Sequence, residues 1–89
     1  MPLQPIYTSR FQKDVELAKR RGKNMDKLKA VLLSLINQEP LGARYNDHKL
    51  SGDYGGRREC HIEPDWLLIY KPAETSIIFE RTGSHSDLF

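Results

Sequence analysis

A chain of 89 residues with one cysteine and a formal charge of +2 predicts a single domain, residues 1–89, around one thin hydrophobic core. Cys60 has no partner for an internal disulfide and no companion at zinc-finger spacing. The longest apolar run, Trp66 to Tyr70, is five residues, against the ~20 that a membrane-spanning helix needs. With no secretory signal pattern, this points to the cytoplasm. The charge is unevenly spread: residues 10–29 hold eight basic and three acidic residues, leaving six basic and nine acidic elsewhere. Such a one-sided basic field suits a polyanionic partner.

In chain order, Ile6, Tyr7 and Thr8 predict a short first strand. Ser9 fits the N-cap of a helix, with Gln12 three residues on as the second half of a weak capping box. Phe11, Val15 and Ala18 recur at i, i+4 and i+7 on one face, and Gly22 closes the helix after a basic last turn. Asn24 caps a second helix, in which Leu28, Val31, Leu32, Leu35 and Ile36 follow the amphipathic template without a miss. Pro40 and Gly42 stop it, and the short link between the helices predicts an antiparallel hairpin. Residues 40–56 are polar and glycine-bearing and read as loop, with room for a short element at Tyr54. Strands follow at residues 57–62, 66–71 and 76–81, the middle one an apolar run suited to burial on both faces. Residues 72–75 make the last hairpin loop. This order predicts an α+β fold: an N-terminal strand and a two-helix hairpin packed on one face of a mostly antiparallel sheet, the other face left for a partner or substrate.

All three histidines, His48, His61 and His85, lie in the C-terminal half, and none falls in an apolar periodic run. A meander brings His61, Asp65 and His85 to a shared rim, with the His48 loop folded over them. Imidazoles move protons at neutral pH. Asp65 can orient a histidine or act as base, and Arg81, at the end of the last strand, offers a guanidinium fork for phosphate. Acid, base and phosphate clamp together can cleave RNA through its own 2′-hydroxyl, with no metal or cofactor. The rival reading is a metal site in which His61 and Glu63, at i and i+2 on a strand, are joined by His48 or His85. The chain lacks the HExxH and CxxC spacings of such sites. Trp66 and Tyr70 read as core, Phe89 and Tyr45 as platforms for an unstacked base. Cys60 and the adjacent His61 point to opposite faces of a strand, so the thiol reads as buried rather than nucleophilic.

Three ordered blocks carry a resemblance: Asp47-His48-x-Leu50-x-Gly52, Arg58-Glu59-x-His61-Ile62-x-Pro64-Asp65-Trp66-Leu67-Leu68-Ile69-Tyr70, and Arg81-x-Gly83-Ser84-His85-x-x-Leu88-Phe89. With the early Phe11-Gln12-Lys13-Asp14, they resemble the YafQ branch of the RelE superfamily of bacterial toxins over nearly the whole chain. The resemblance implies a RelE-type fold akin to microbial ribonucleases. It implies a type II toxin, an mRNA interferase that enters the A site of the 70S ribosome and cuts mRNA, inhibiting translation. It also implies a DinJ-like antitoxin partner in a heterotetramer, contact with DNA only through that antitoxin, and no membrane. The family's functional set maps onto His48, His61, Asp65, Arg81, His85 and Phe89, with Trp66 beside it; Arg58 and Tyr45 join as substrate-binding residues. RelE proper relies more on Lys, Arg and a C-terminal Tyr, whereas this chain has a His/Asp set and ends at Phe89. The acid is expected to be His85, the base Asp65 or His48, with Arg81 and His61 on the phosphate. In this reading the basic hairpin, through Lys13, Lys19, Arg20, Arg21, Lys23 and Lys27, grips ribosomal RNA by salt-sensitive contacts. The alternatives are a ribosome-independent ribonuclease and a non-catalytic RNA- or ribosome-binding module.

Overall fold

The computed structural model describes every residue except Ser51, Asp53 and Tyr54, so the element expected at Tyr54 lies outside the described residues. Strand β1 (Gln4–Tyr7) leads into helices α1 (Ser9–Arg20) and α2 (Met25–Ile36). A 3-10 turn (Ala43–Tyr45) and a two-residue strand β2 (His48–Lys49) follow. The remaining elements are β3 (Arg58–Glu63), β4 (Trp66–Pro72), β5 (Ser76–Gly83) and a one-turn helix α3 (His85–Leu88). The sheet runs β1-β5-β4-β3-β2, antiparallel throughout except where β1 lies parallel to β5. Pro5 is tolerated because β1 is an edge strand, where a missing N–H costs no ladder bond on the outer side.

Helix boundaries differ slightly from the sequence reading. Thr8, not Ser9, caps α1: its Oγ1 accepts from the Phe11 N–H at 3.0 Å and donates to the Glu80 carbonyl at 2.9 Å, tying the helix start to β5. The Gln12 side chain donates to the Tyr7 carbonyl instead of closing a capping box. Asn24 caps α2 as expected, accepting from Asp26. That helix ends at Ile36, before Pro40 and Gly42, because Gln38 turns into the left-handed region at φ 57°.

The amphipathic faces behave as their periodicity demands. Phe11 and Ala18 of α1 and Leu28, Val31 and Leu35 of α2 pack onto Cys60, Ile62, Trp66, Leu68, Tyr70, Ile77 and Phe79 of the sheet. Strand β4 is buried on both faces from Trp66 to Tyr70. The face away from the helices is not wholly open, as expected, but part-covered: Leu67 and Ile69 are buried beneath Leu88 of α3, with Leu50 packed alongside. At the polar end of that face β2 and β3 place His48, Glu59 and His61, the Glu59 side chain itself buried.

Candidate active site

Strand alternation aims Glu59 and His61 of β3 at the face away from the helices, and the register sets them opposite Ile69 and Leu67. Pairing of His48 with Glu59 across β2–β3 brings a third group alongside. The Glu59 carboxylate, 7% exposed, accepts from His48 Nε2 at 3.1 Å and faces His61 Nε2 at 3.4 Å. His48 Nδ1 lies 3.2 Å from the Lys49 carbonyl, so both of its ring nitrogens face acceptors. Glu59 was absent from the expected site residues. Its i, i+2 relation to His61 on a strand is the signal that points to it.

The tail supplies the second half of the site. The β3–β4 corner presents Asp65, whose Oδ1 accepts from the His85 backbone N–H at 2.9 Å and from His85 Nδ1 at 2.6 Å. Ring centroids of His61 and His85 lie 5.8 Å apart, those of His48 and His61 6.4 Å. The four residues His48, His61, Asp65 and His85 therefore gather in one place. Phe89, 62% exposed, closes the same tail.

Other expected site residues have partners of their own. Arg81 is held from Nε and Nη2 by Asp14 of α1 at 2.7 and 3.3 Å, in a cavity that Asp65 also lines. Trp66 is 1% exposed, donates to Thr82 Oγ1 at 3.0 Å and lies beneath Lys23, so it is a core residue behind the site. Arg58 faces the helix side with Tyr70, away from the histidines, and binds Asp47 at 3.0 Å. Tyr45 lines a cavity with His61 and Lys27, and the Arg44 guanidinium covers its ring at 4.8 Å. Among the basic residues, Lys13, Lys19 and Arg20 are exposed on α1. Lys23 and Lys27 turn to Glu63, and Arg21 to Asp87, at the rim of the site.

A metal could be held by His48, Glu59 and His61, whose donor atoms lie within 4.8 Å of one another. The set built on His61 and Glu63 does not form. The strand register shifts between those two residues, and Glu63 leaves the alternation to join the lysines. Cys60 is buried, and desolvation pushes its thiol up to about 12, consistent with an inert core residue.

Three rim carboxylates are held below their ordinary range. The His85 backbone N–H lowers Asp65, the Lys27 ammonium lowers Glu63, and the Arg21 guanidinium holds Asp87 well below the rest. A depressed carboxylate contributes stability that is complete above its unfolded value and is lost as pH falls through its folded value. The docking of α3 should therefore persist down to about pH 4 and loosen below it. Amide chemical shifts of residues 84–89, followed through that window, check this; the response should be smaller in Asp87→Asn.

Solved structures that this fold matches include bacterial toxins. The E. coli DinJ-YafQ toxin-antitoxin complex contains a chain that matches with a TM-score of 0.92 at 47% identity, covering 100% of this chain and 99% of that one. A metal-bound toxin from Helicobacter pylori gives 0.91 at 36% identity, covering 98% and 99%. By sequence, the mRNA interferase toxin YafQ of E. coli strain K12 is 50% identical over 84 residues, 93% of this chain and 91% of its own length. A family model described as the bacterial toxin of type II toxin-antitoxin systems, YafQ, matches residues 3–89, and the chain belongs to that family. Among the described residues, no helix is long and apolar enough to cross a membrane.

Proposed function

We propose that this protein is a ribosome-dependent endoribonuclease that cuts mRNA in the A site by metal-free acid–base catalysis. The observation that carries the reading is a pair of carboxylate–imidazole dyads, Asp65–His85 and Glu59–His61, with their rings 5.8 Å apart. In the first, Nδ1–H of His85 is committed to Asp65, leaving Nε2 to deliver a proton to the departing 5′-oxygen. In the second, Nε2 of His61 faces Glu59, leaving Nδ1 to take the 2′-hydroxyl proton. The freed oxygen attacks phosphorus in line as the P–O5′ bond breaks, giving a 2′,3′-cyclic phosphate and a 5′-hydroxyl.

This assignment moves the base from Asp65 or His48 to His61. Oδ1 of Asp65 already accepts twice from His85. The two nitrogens of His48 both face acceptors, at 3.2 and 3.1 Å, so neither is turned toward a 2′-hydroxyl. Arg81 lines the cavity shared with Asp65 and adds charge stabilisation. Phe89, exposed at the tail, would stack on an unpaired base, and Trp66 would support the site from within the core. A metal on His48, Glu59 and His61 would suit borderline N/O chemistry and would compete with the Glu59–His61 pairing; a Helicobacter pylori toxin of this fold is solved metal-bound.

Of the expected RNA-binding residues, Lys13, Lys19 and Arg20 are exposed on α1, Lys19 lying 3.8 Å from Glu16; they would meet ribosomal RNA in a contact that weakens with salt. The E. coli relative is named an mRNA interferase, and a similar chain is solved with DinJ. These support a DinJ-like antitoxin as the neutralising partner, and we propose that the two assemble as a heterotetramer. Contact with DNA would run only through the antitoxin, and the site of action is the cytoplasm. The test is purified protein with mRNA, with and without programmed ribosomes, and analysis of product ends. Cleavage only with ribosomes, leaving cyclic or 3′-phosphate and 5′-hydroxyl ends, is the expected result. Cleavage of naked RNA in EDTA favours a free ribonuclease. Blocked translation with no cut overturns the enzyme in favour of a binding module.

A further inference from the structure

We propose that Arg21 is a positioning residue for His85, acting through Asp87 to hold the one-turn helix that carries it, an inference that rests on the ribonuclease reading above. Four residues make too short a helix to hold its own shape. The turn is closed by a reciprocal cap, in which Ser84 Oγ accepts from the Asp87 N–H at 3.2 Å and Asp87 Oδ2 accepts from the Ser84 N–H at 2.9 Å. Arg21, just past the end of α1, reaches the same carboxylate with two nitrogens. Nη1 lies 2.6 Å from Oδ2 and Nη2 lies 3.3 Å from Oδ1. Two-point guanidinium–carboxylate pairing fixes orientation as well as distance.

One carboxylate thus caps the turn and receives the clamp, so α3 cannot rotate without disturbing both. The local backbone is shaped for this closeness: a Cβ at Gly83 would lie 2.9 Å from Asp87 Cβ. His85 is the first residue of the clamped turn, and its ring and backbone N–H both reach Asp65. The clamp therefore fixes the dyad from the opposite side to Asp65. Around it, Asp14, Lys23, Asp65 and Arg81 line the same cavity as Arg21 and Asp87. The role differs from the expected one, in which Arg21 grips ribosomal RNA: a fork closed on Asp87 is oriented toward the tail, not outward.

The experiment compares wild type, Arg21→Ala, Arg21→Lys, Asp87→Asn and the double variant Arg21→Ala/Asp87→Asn. It measures single-turnover cleavage at saturating programmed ribosomes, ribosome affinity at two salt concentrations, and NMR signals of the His85 ring and the residue 84–89 amides. Asp87→Asn keeps an acceptor for the cap and removes the charge that Arg21 holds. Arg21→Ala should lower the saturating rate on the order of tenfold, since small misplacements of a reacting group are costly, with affinity unchanged. Arg21→Lys should recover part of the rate, and the double variant should be no slower than either single one. The tail signals should move in every variant. An Arg21→Ala protein with a normal saturating rate and weaker, less salt-dependent binding would overturn the proposal in favour of an RNA contact. Unmoved tail signals would overturn it as well. If wild type itself does not cleave, the ribonuclease reading falls, while the NMR signals still decide whether Arg21 holds His85.

Discussion

His85→Ala should slow cleavage at saturating substrate by about 10²–10⁴-fold, the usual contribution of a positioned proton donor, while affinity for programmed ribosomes stays within about twofold. The substitution removes the ring but leaves the turn intact. The backbone N–H of residue 85 still reaches Asp65, the Ser84–Asp87 cap does not involve the ring, and Leu88 stays buried over Leu67 and Ile69. Half the His85 side chain is exposed, so little packing is lost. Single-turnover kinetics beside equilibrium binding separates the two quantities. A variant that cleaves at the normal rate removes His85 as the acid, and one that loses affinity in proportion to rate makes it a binding residue.

Arg81→Ala should cost about 10²–10³-fold in rate, the scale of a lost charge-stabilising donor. It should also cost about 1–3 kcal/mol of stability, because it leaves a largely buried carboxylate without its cation. The partner is Asp14, which also accepts from the Thr82 N–H at 3.1 Å where β5 runs on past its pairing with β1. The double variant Asp14→Asn/Arg81→Ala keeps an acceptor for Thr82 and removes the orphaned charge. Urea unfolding of the pair should show stability largely regained. Rate should stay low if the guanidinium acts on the phosphate; recovery of rate together with stability would make Arg81 a structural residue only.

Residues whose roles are set by local pattern were legible. The i, i+3, i+4 spacing of Leu28, Val31 and Leu35 located α2, and the unbroken run from Trp66 to Tyr70 located the doubly buried strand. The convergence of His61, Asp65 and His85 followed from the meander. Where a role depends on a residue far along the chain, pattern could not supply it. Arg81 and Asp14 are 67 residues apart, and Arg21 and Asp87 are 66 apart. Other features were within reach. Strand alternation alone separates Arg58 from His61 and joins Glu59 to it. Ser84 with Asp87 three residues on is a cap signal for α3, but four residues are too few to show helical periodicity. The missed strand β2 has only two residues, and its pairing with β3 is visible only in three dimensions.

The pairing of β1 with β5 alone has a consequence for the order of synthesis. As the polypeptide grows from its amino end, the first strand has no neighbour in the sheet until the last strand has been made. Both dyads draw on the late portion of the chain, and one needs His85, translated after β5. Contacts between such distant segments form late and slowly. A nuclease acting on translating ribosomes, as proposed, is therefore unarmed until β5 and His85 have been made and β1 has found its neighbour.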